Sequence, residues 1–170
     1  AALASVSPFG SGSDSVMRLL VVPSAIAMAV SLGLVLVLGW HRAAGLGPGR
    51  PSAWGVVPLG IFAVATLATL GIPTVAARGE SFVGLVLAGL FLAAASEEIL
   101  FRGFLHHGLT RRLGGRASVL IGSALFSAAH IPALLASDVP AAGVPITLVV
   151  LFGFGALLGR IRADTGSVWY

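Results

Sequence analysis

Three charged residues lie within six positions of an otherwise apolar stretch: Glu97, Glu98 and Arg102. On a helix, residues four apart share one face, so Glu98 and Arg102 can form an ion pair. Glu97 is rotated by about 100° from Glu98 and has no such partner in its own helix. A charge deep in an apolar helix is costly, and it persists mainly where it has a partner or a function. The spacing therefore predicts one neutralised carboxylate and one that is free for proton transfer.

His130 is a second polar outlier, in the next apolar stretch. If the two stretches are antiparallel helices, Glu97 lies about 15 Å and His130 about 20 Å from their shared end. A carboxylate and an imidazole at matched depth can hold a water molecule. The carboxylate takes its proton, and the imidazole either orients the water or binds a divalent metal such as zinc, with Glu97 as a second ligand. A structural ion pair and a histidine that only packs are the alternatives.

The composition indicates an integral membrane protein. Of 170 residues, 57% are hydrophobic and only 9% are charged, whereas about a quarter of the residues in a soluble domain are charged. The absence of cysteine excludes disulfides, thiolate nucleophiles and cysteine zinc sites. All ten basic residues are arginines scattered among apolar runs, which favours contact with anionic lipid over binding of nucleic acid.

Five apolar runs predict an all-α, polytopic transmembrane helix bundle of about five spans. The runs cover residues 19–40, 54–77, 81–107, 117–136 and 144–159. They form one domain, 16–170, after a flexible lead-in, 1–15. Seven of the ten arginines fall in the connections after the first, third and fifth runs. By the positive-inside rule these connections are cytoplasmic, so we expect the N-terminus outside and the C-terminus inside a bacterial plasma membrane.

Smaller features have simpler expectations. Gly155 and Gly159 form a small-residue face, for which we expect packing within the bundle rather than a dimer seam. His106 and His107 precede a basic connection and are expected at the membrane interface. The connection itself contains three arginines: Arg111, Arg112 and Arg116.

The sequence lacks the motifs of two common protease sites. No serine has a G-x-S-x-G setting, which argues against a serine nucleophile at any of three candidates, Ser123, Ser127 and Ser167. No H-E-x-x-H sequence occurs, so the zincin site is absent.

The charged run resembles a known family. The pattern Glu97-Glu98-x-x-x-Arg102, followed by Phe126-x-x-x-His130, is similar to the motifs of the CPBP intramembrane proteases. That family includes the type II CAAX prenyl endopeptidases and the bacterial Abi and bacteriocin-immunity homologues. The resemblance covers a protease-like core, 81–170, whose last residues resemble the family's approach to its final catalytic helix.

The resemblance implies a role for each matched residue. Glu97 would activate water with His130, Glu98 and Arg102 would support the site, and Phe126 would be the motif's aromatic residue, in contact with substrate. The family's last motif, which supplies a further histidine and an asparagine for the oxyanion, has no counterpart here. We therefore expect the segment alone to be inactive. Metal dependence is left open.

Three functions compete at this point. The first is an endopeptidase that cleaves a peptide or a membrane-anchored protein, prenylated or not, at or within the membrane. The second is a non-catalytic scaffold, such as a bacteriocin-immunity or secretion partner. The third is a proton-coupled transporter in which Glu97 and His130 form a relay. An endopeptidase best accounts for the free carboxylate and the matched histidine.

Overall fold

The computed structural model describes residues 12–49, 80–137 and 139–169. Within these ranges the chain forms helices and turns but no strand. Four helices are long and apolar enough to cross a membrane: α1, Ser13–Val37; α2, Ser81–Leu113; α3, Gly115–Leu135; and α4, Gly143–Thr165. The prediction of an all-α transmembrane bundle is confirmed. The second predicted span, 54–77, and most of the predicted lead-in lie outside the described residues.

Helix α2 changes its winding where its charged residues begin. Its first part is α-helical over Glu80–Glu97, its middle is π-helical over Glu98–Leu105, and its last part is α-helical again over His106–Leu113. A π-helix has hydrogen bonds from residue i to i+5 and is rare, and it occurs often at functional sites. The apolar pattern of the sequence did not predict this wider segment.

The predicted basic loop between the third and fourth apolar runs is wrong. Arg111 and Arg112 lie in the last turn of α2, and Arg116 lies in the first turn of α3. The chain reverses at Gly114, whose φ of 82° is readily adopted only by glycine. Arginines in the last turn interact favourably with the negative end of the helix dipole, which explains why basic residues do not end α2 earlier.

Helix α4 also runs further than its apolar stretch. It continues past the predicted end at Gly159 to Thr165, and Gly166 ends it with a φ of 75°. Arg160 and Arg162 were expected in a connection, and that expectation is wrong because both belong to the helix. Arg160 is exposed, whereas Arg162 is buried.

Apolar and polar side chains are distributed as expected in lipid. Many large apolar side chains point outward, among them Leu19, Ile26, Val37, Phe91, Leu135 and Val149. Several small polar side chains are buried between helices: Ser24, Ser31, Ser96, Ser118, Ser123 and Ser127. Small and hydroxylated residues let transmembrane helices approach closely and bond to one another.

Helices α3 and α4 pack closely through the small-residue face. A Cβ atom on Gly155 would lie 3.2 Å from the Cα of Ser123, and one on Gly159 would lie 3.4 Å from a methyl group of Val119. The hydroxyl of Ser127 donates a hydrogen bond across the same interface to the carbonyl of Leu148 at 2.7 Å. Packing within the bundle, as predicted for this face, is confirmed.

Candidate active site

The ion pair predicted from the spacing of Glu98 and Arg102 is present. Arg102 Nη1 lies 3.1 Å from Glu98 Oε1, and the two side chains are only 4% and 23% exposed. The contact is short, yet neither terminal nitrogen of Arg102 has a partner with hydrogen-bond alignment. The pair is therefore mainly an electrostatic contact. It neutralises the Glu98 charge and leaves hydrogen-bonding capacity on the guanidinium.

Glu97 is the last residue before the π-helical segment and is half-buried. Among the described residues it makes no hydrogen bond or ion pair within bonding distance. Its charge nevertheless interacts with two groups, His130 and Arg102. The two neighbouring glutamates thus have different surroundings: Glu98 lies beside an arginine, whereas Glu97 has no bonded partner among the described residues.

His130 has one ring nitrogen committed and one available. Its Nδ1 lies 2.8 Å from the carbonyl oxygen of Phe126. Since a carbonyl only accepts hydrogen bonds, Nδ1 carries the proton, and in the neutral ring Nε2 keeps its lone pair. The helix is interrupted at this residue: the next short segment begins at Ile131, and Pro132 in its first turn has no amide proton to donate.

Phe126 joins the two halves of the site. Its ring centroid lies 4.2 Å from Arg102 Cζ, a distance typical of a cation–π contact. The same ring makes edge contacts with Phe101 at 5.3 Å and with His130 at 4.8 Å. Phe126 is 3% exposed. It is therefore a buried wall between the arginine of α2 and the histidine of α3, and its contact with substrate stays a prediction.

Glu97 and His130 lie at matched depth in the two antiparallel helices. Glu97 is sixteen residues before Leu113, and His130 is fifteen residues after Gly115, on either side of the reversal at Gly114. These separations correspond to about 24 Å and about 22 Å of helix. Both values exceed the expected 15 Å and 20 Å, because α2 and α3 extend further toward the reversal than their apolar runs.

A small cavity lies beside Arg102. It has a volume of about 10 Å³, which is close to the minimum for one water molecule. Its polar lining includes Arg102, His106, Ser118 and Ser123. The rest of its lining is apolar or glycine, so the cavity offers the unaligned guanidinium nitrogens of Arg102 only a few polar neighbours.

Interfacial placement stays a prediction for His106, whose burial the sequence did not indicate. His106 is buried between α2 and α3, with Nδ1 3.3 Å from the hydroxyl of Ser118. The Ser118 oxygen also accepts a hydrogen bond from Thr110 at 2.8 Å. His107 packs edge-on against Trp40, with ring centroids 4.9 Å apart. The burial of His106 arises because α2 continues for almost two turns beyond these histidines.

The three serines that were excluded as nucleophiles all donate hydrogen bonds to backbone carbonyls. Ser123 bonds to Val119 within its own helix, and Ser127 bonds to α4. Ser167 bonds to the carbonyl of Gly47 at 3.0 Å. None of these hydroxyls contacts a histidine ring, so no serine–histidine arrangement exists among them.

Comparison with known proteins assigns the chain to a family. The model of the family described as type II CAAX prenyl endopeptidase Rce1-like matches residues 79–170, just over half of the chain. The chain belongs to this family. The matched range contains every residue of the candidate site and begins close to residue 81, where the resemblance of the motifs begins. No curated protein and no solved structure matches the chain. At the family level the protein is thus a CAAX-type intramembrane protease.

The described residues of this family member do not fit a catalytic metal. A catalytic zinc usually has three protein ligands and an open position for water. Glu97 and His130 supply two candidate ligands, and no group of three or more histidine or acidic side chains occurs within 12–49, 80–137 and 139–169.

Arg162 is the residue near the site that the sequence did not indicate. Its buried guanidinium donates a hydrogen bond to the backbone carbonyl of Arg102 at 3.2 Å. Nothing in the sequence distinguished Arg162 from the other arginines that follow apolar runs. The positive-inside rule accounted for all of them in the same way. Tertiary contacts, which the sequence pattern does not reveal, distinguish it from Arg160.

Proposed function

We propose that this protein is an endopeptidase that hydrolyses a peptide bond at or within the membrane through water activated by Glu97 and His130. The proposal is carried by two residues on adjacent helices at similar residue counts from the reversal at Gly114. Glu97 has no bonded partner among the described residues, and His130 is bonded there through Nδ1, which leaves Nε2 for water. Membership of the CAAX prenyl endopeptidase family supports the same reaction class.

In the proposed reaction, ionised Glu97 accepts a proton from water while His130 Nε2 accepts a hydrogen bond from the same molecule and orients it. The hydroxide attacks the carbonyl carbon of the scissile bond, whose π electrons move to oxygen. When the tetrahedral intermediate collapses, the C–N bond breaks and protonated Glu97 donates its proton to the leaving nitrogen. The products are a carboxylic acid and an amine, and Glu97 is ionised again.

Glu98 and Arg102 have a supporting role in this proposal. Glu98 neutralises most of the Arg102 charge, and the guanidinium lies against the Phe126 ring. Because Phe126 also contacts the His130 ring, the ion pair is connected to the orientation of the imidazole. This chain of contacts supports Glu98 and Arg102 as groups that hold the site rather than as groups that transfer protons.

The family description suggests a prenylated CAAX peptide as the first substrate to test. A prenyl group partitions into lipid, and the exposed apolar faces of the four helices place the protein in the same phase. Concentration of both in the bilayer would bring the peptide to a site within the membrane-spanning helices. A peptide without a prenyl group is the matched comparison for this specificity.

The orientation of the protein is also a proposal. The turn after α1 and the end of α4 lie on one side of the bundle, since Arg162 bonds to the carbonyl of Ala43 at 2.7 Å. We propose that this side is cytoplasmic, in accord with the positive-inside rule. Reporter fusions after Gly47, Gly114 and Gly166 should all indicate cytoplasm. Two external signals among the three would overturn the orientation.

Replacement of His130 tests the proposed chemistry. The full-length protein in lipid nanodiscs should cleave a prenylated CAAX peptide, and His130→Gln should lower kcat by about 10²-fold or more. His107→Gln, which alters a histidine outside the site, should leave kcat within about twofold. Metal chelators should not reduce cleavage. A His130→Gln protein with wild-type kcat would contradict the proposal. So would a wild-type protein that cleaves neither the prenylated peptide nor the peptide without a prenyl group.

A further inference from the structure

Two arginines near the end of α4 have opposite surroundings. The side chain of Arg160 is 71% exposed and pairs with Asp164. Arg162, half a turn further along, is buried and makes two hydrogen bonds to backbone carbonyls. Its Nη2 donates to Ala43 at 2.7 Å and its Nε donates to Arg102 at 3.2 Å. Arg162 therefore connects three parts of the chain: α4, the turn after α1 and the π-helical segment of α2.

The carbonyl that Arg162 binds lies in the π-helical segment. In a regular α-helix the amide of His106 would bond to the carbonyl of Arg102, four residues earlier. Here the His106 amide is directed to the carbonyls of Phe101 and Gly103 instead. Arg162 thus supplies a donor to the carbonyl that this amide passes over. The hydrogen bond from Arg162 and the wider winding at this position support each other.

The turn after α1 is held on its other side by the residues that follow α4. We call residues 43–47 the strap. Three of its carbonyls accept hydrogen bonds from the end of the described chain: Gly45 from the Val168 amide at 3.1 Å, Leu46 from Trp169 Nε1 at 2.9 Å, and Gly47 from the Ser167 hydroxyl at 3.0 Å. These three hydrogen bonds hold the strap against the residues that follow α4, independently of its contact with α2.

Glycine at position 45 allows the strap to approach Arg162. Gly45 has a φ of 75°, and a Cβ atom there would lie 2.7 Å from the Gly166 carbonyl oxygen and 2.8 Å from Arg162 Cζ. On the α2 side, a Cβ atom on Gly103 would lie 3.2 Å from the carbonyl oxygen of Ala44. The strap thus fills the space between Arg162 and the π-helical segment, with no room for a side chain at its centre.

We propose that Arg162, together with the strap, is a positioning residue that holds the π-helical segment and thereby the side chains of Glu98 and Arg102. The π-helical winding accommodates about one extra residue, and this residue would no longer be accommodated if the segment became α-helical. Glu97 and Glu98 would then rotate by about 100° relative to the end of α2, away from their present setting against α3. The catalytic part of this inference rests on the proposed endopeptidase function.

Two substitutions and two matched controls test the proposal. Arg162→Lys keeps the charge but lacks the planar group that donates to two carbonyls at once. Gly45→Ala disturbs the same contact from the strap. The controls are Arg160→Lys, in the exposed pair, and Gly39→Ala, at a glycine with a similar φ of 66° and no atom within 4 Å of an added Cβ.

The kinetic readout is cleavage of a prenylated CAAX peptide by the full-length protein in lipid nanodiscs, expressed per folded molecule. Arg162→Lys and Gly45→Ala should each lower kcat by about tenfold to a hundredfold, with KM changed by less than about twofold. Both controls should retain wild-type kcat. If the two test variants lose folded protein but keep wild-type kcat per folded molecule, Arg162 only stabilises the fold and the proposal is wrong.

Hydrogen–deuterium exchange provides a second readout that requires no cleavage. Peptides covering 98–106 should exchange faster in Arg162→Lys than in the wild type, whereas peptides covering 143–155 should be unchanged. Equal exchange over 98–106 would overturn the proposal. A wild type that cleaves no peptide would contradict the proposed function instead, and the exchange result alone would then decide whether Arg162 holds this segment.

Discussion

Within the described part of the chain, two ion pairs share the same helical spacing but have opposite surroundings. In α2, Arg102 lies 3.1 Å from Glu98, and the two side chains are 4% and 23% exposed. In α4, Arg160 lies 2.9 Å from Asp164, and the two side chains are 71% and 53% exposed. The shorter distance belongs to the exposed pair. Spacing and distance alone therefore give no measure of what each pair contributes.

The difference in surroundings decides the energetics. An exposed pair gains little because water and salt screen its charges. A buried pair was removed from water at a cost, so loss of one partner leaves an uncompensated charge in a site that cannot hydrate it. The order of the residues agrees with this difference: glutamate precedes arginine in the buried pair, which is the favourable order along the helix dipole, and the exposed pair has the reverse order.

Among the substitutions that test this difference, Glu98→Gln should have the largest effect, and that effect is on stability. The amide cannot neutralise Arg102, so the buried guanidinium loses its counter-charge and the free energy of unfolding should fall by about 3–5 kcal/mol. Folded yield and the thermal midpoint of the purified protein in detergent would both decrease. Cleavage per folded molecule should also fall, because Arg102 is then free to leave the Phe126 ring.

A double variant shows whether the unpaired charge causes that loss. Glu98→Gln combined with Arg102→Met removes both charges and keeps an unbranched side chain against Phe126. Its thermal midpoint should lie above that of Glu98→Gln, since an apolar replacement of both partners of a buried pair is often nearly neutral. A double variant less stable than the single one would indicate that Arg102 stabilises the protein without its partner.

An intermediate effect is expected for Phe126→Leu, which keeps a large apolar side chain but removes the aromatic face beneath Arg102. Loss of the cation–π contact and of the edge contact with His130 should cost about 1–2 kcal/mol. The kcat for the prenylated peptide should fall about tenfold because the imidazole loses a wall that orients it. Phe152→Leu is the control, since Phe152 is exposed on α4. Equal kinetics in both variants would remove Phe126 from the site.

The smallest effect is expected in the exposed pair. Asp164→Asn should change the free energy of unfolding by no more than about 1 kcal/mol. The small difference from wild type should vanish in about 1 M salt, where the Debye length is about 3 Å. The deficit of Glu98→Gln should persist under the same conditions. If the thermal midpoints of both variants depended equally on salt, the two pairs would not differ in kind.

The sequence could predict features that follow directly from helix geometry. The ion pair of Glu98 with Arg102 depends only on a four-residue spacing. The matched depth of Glu97 and His130 depends only on residue counts from a shared reversal. The packing of Gly155 against α3 follows from the need of transmembrane helices for small residues at close contacts. Each of these follows from the spacing or composition of single helices, without knowledge of a specific contact between distant residues.

Other features depend on contacts between distant segments and were predicted wrongly or not at all. The burial of His106 follows from the continuation of α2 to Gly114, which an apolar-run criterion cannot detect in a polar helical end. The burial of Arg162 depends on the turn after α1, some 120 residues earlier. The π-helical segment has no compositional signature. One of its carbonyls, that of Arg102, accepts a hydrogen bond from the distant Arg162.

The central claim is the division of roles between the adjacent glutamates, and one measurement tests it most directly. The single-turnover rate of prenylated CAAX peptide cleavage by the full-length protein would be compared between Glu97→Gln and wild type, with the thermal midpoint determined on the same samples. Glu97→Gln should keep the wild-type midpoint, because Glu97 has no ion pair with any described residue, and its rate should fall by about 10²–10⁴-fold. A Glu97→Gln protein that cleaves at near wild-type rate would contradict the account and assign the general base to another residue.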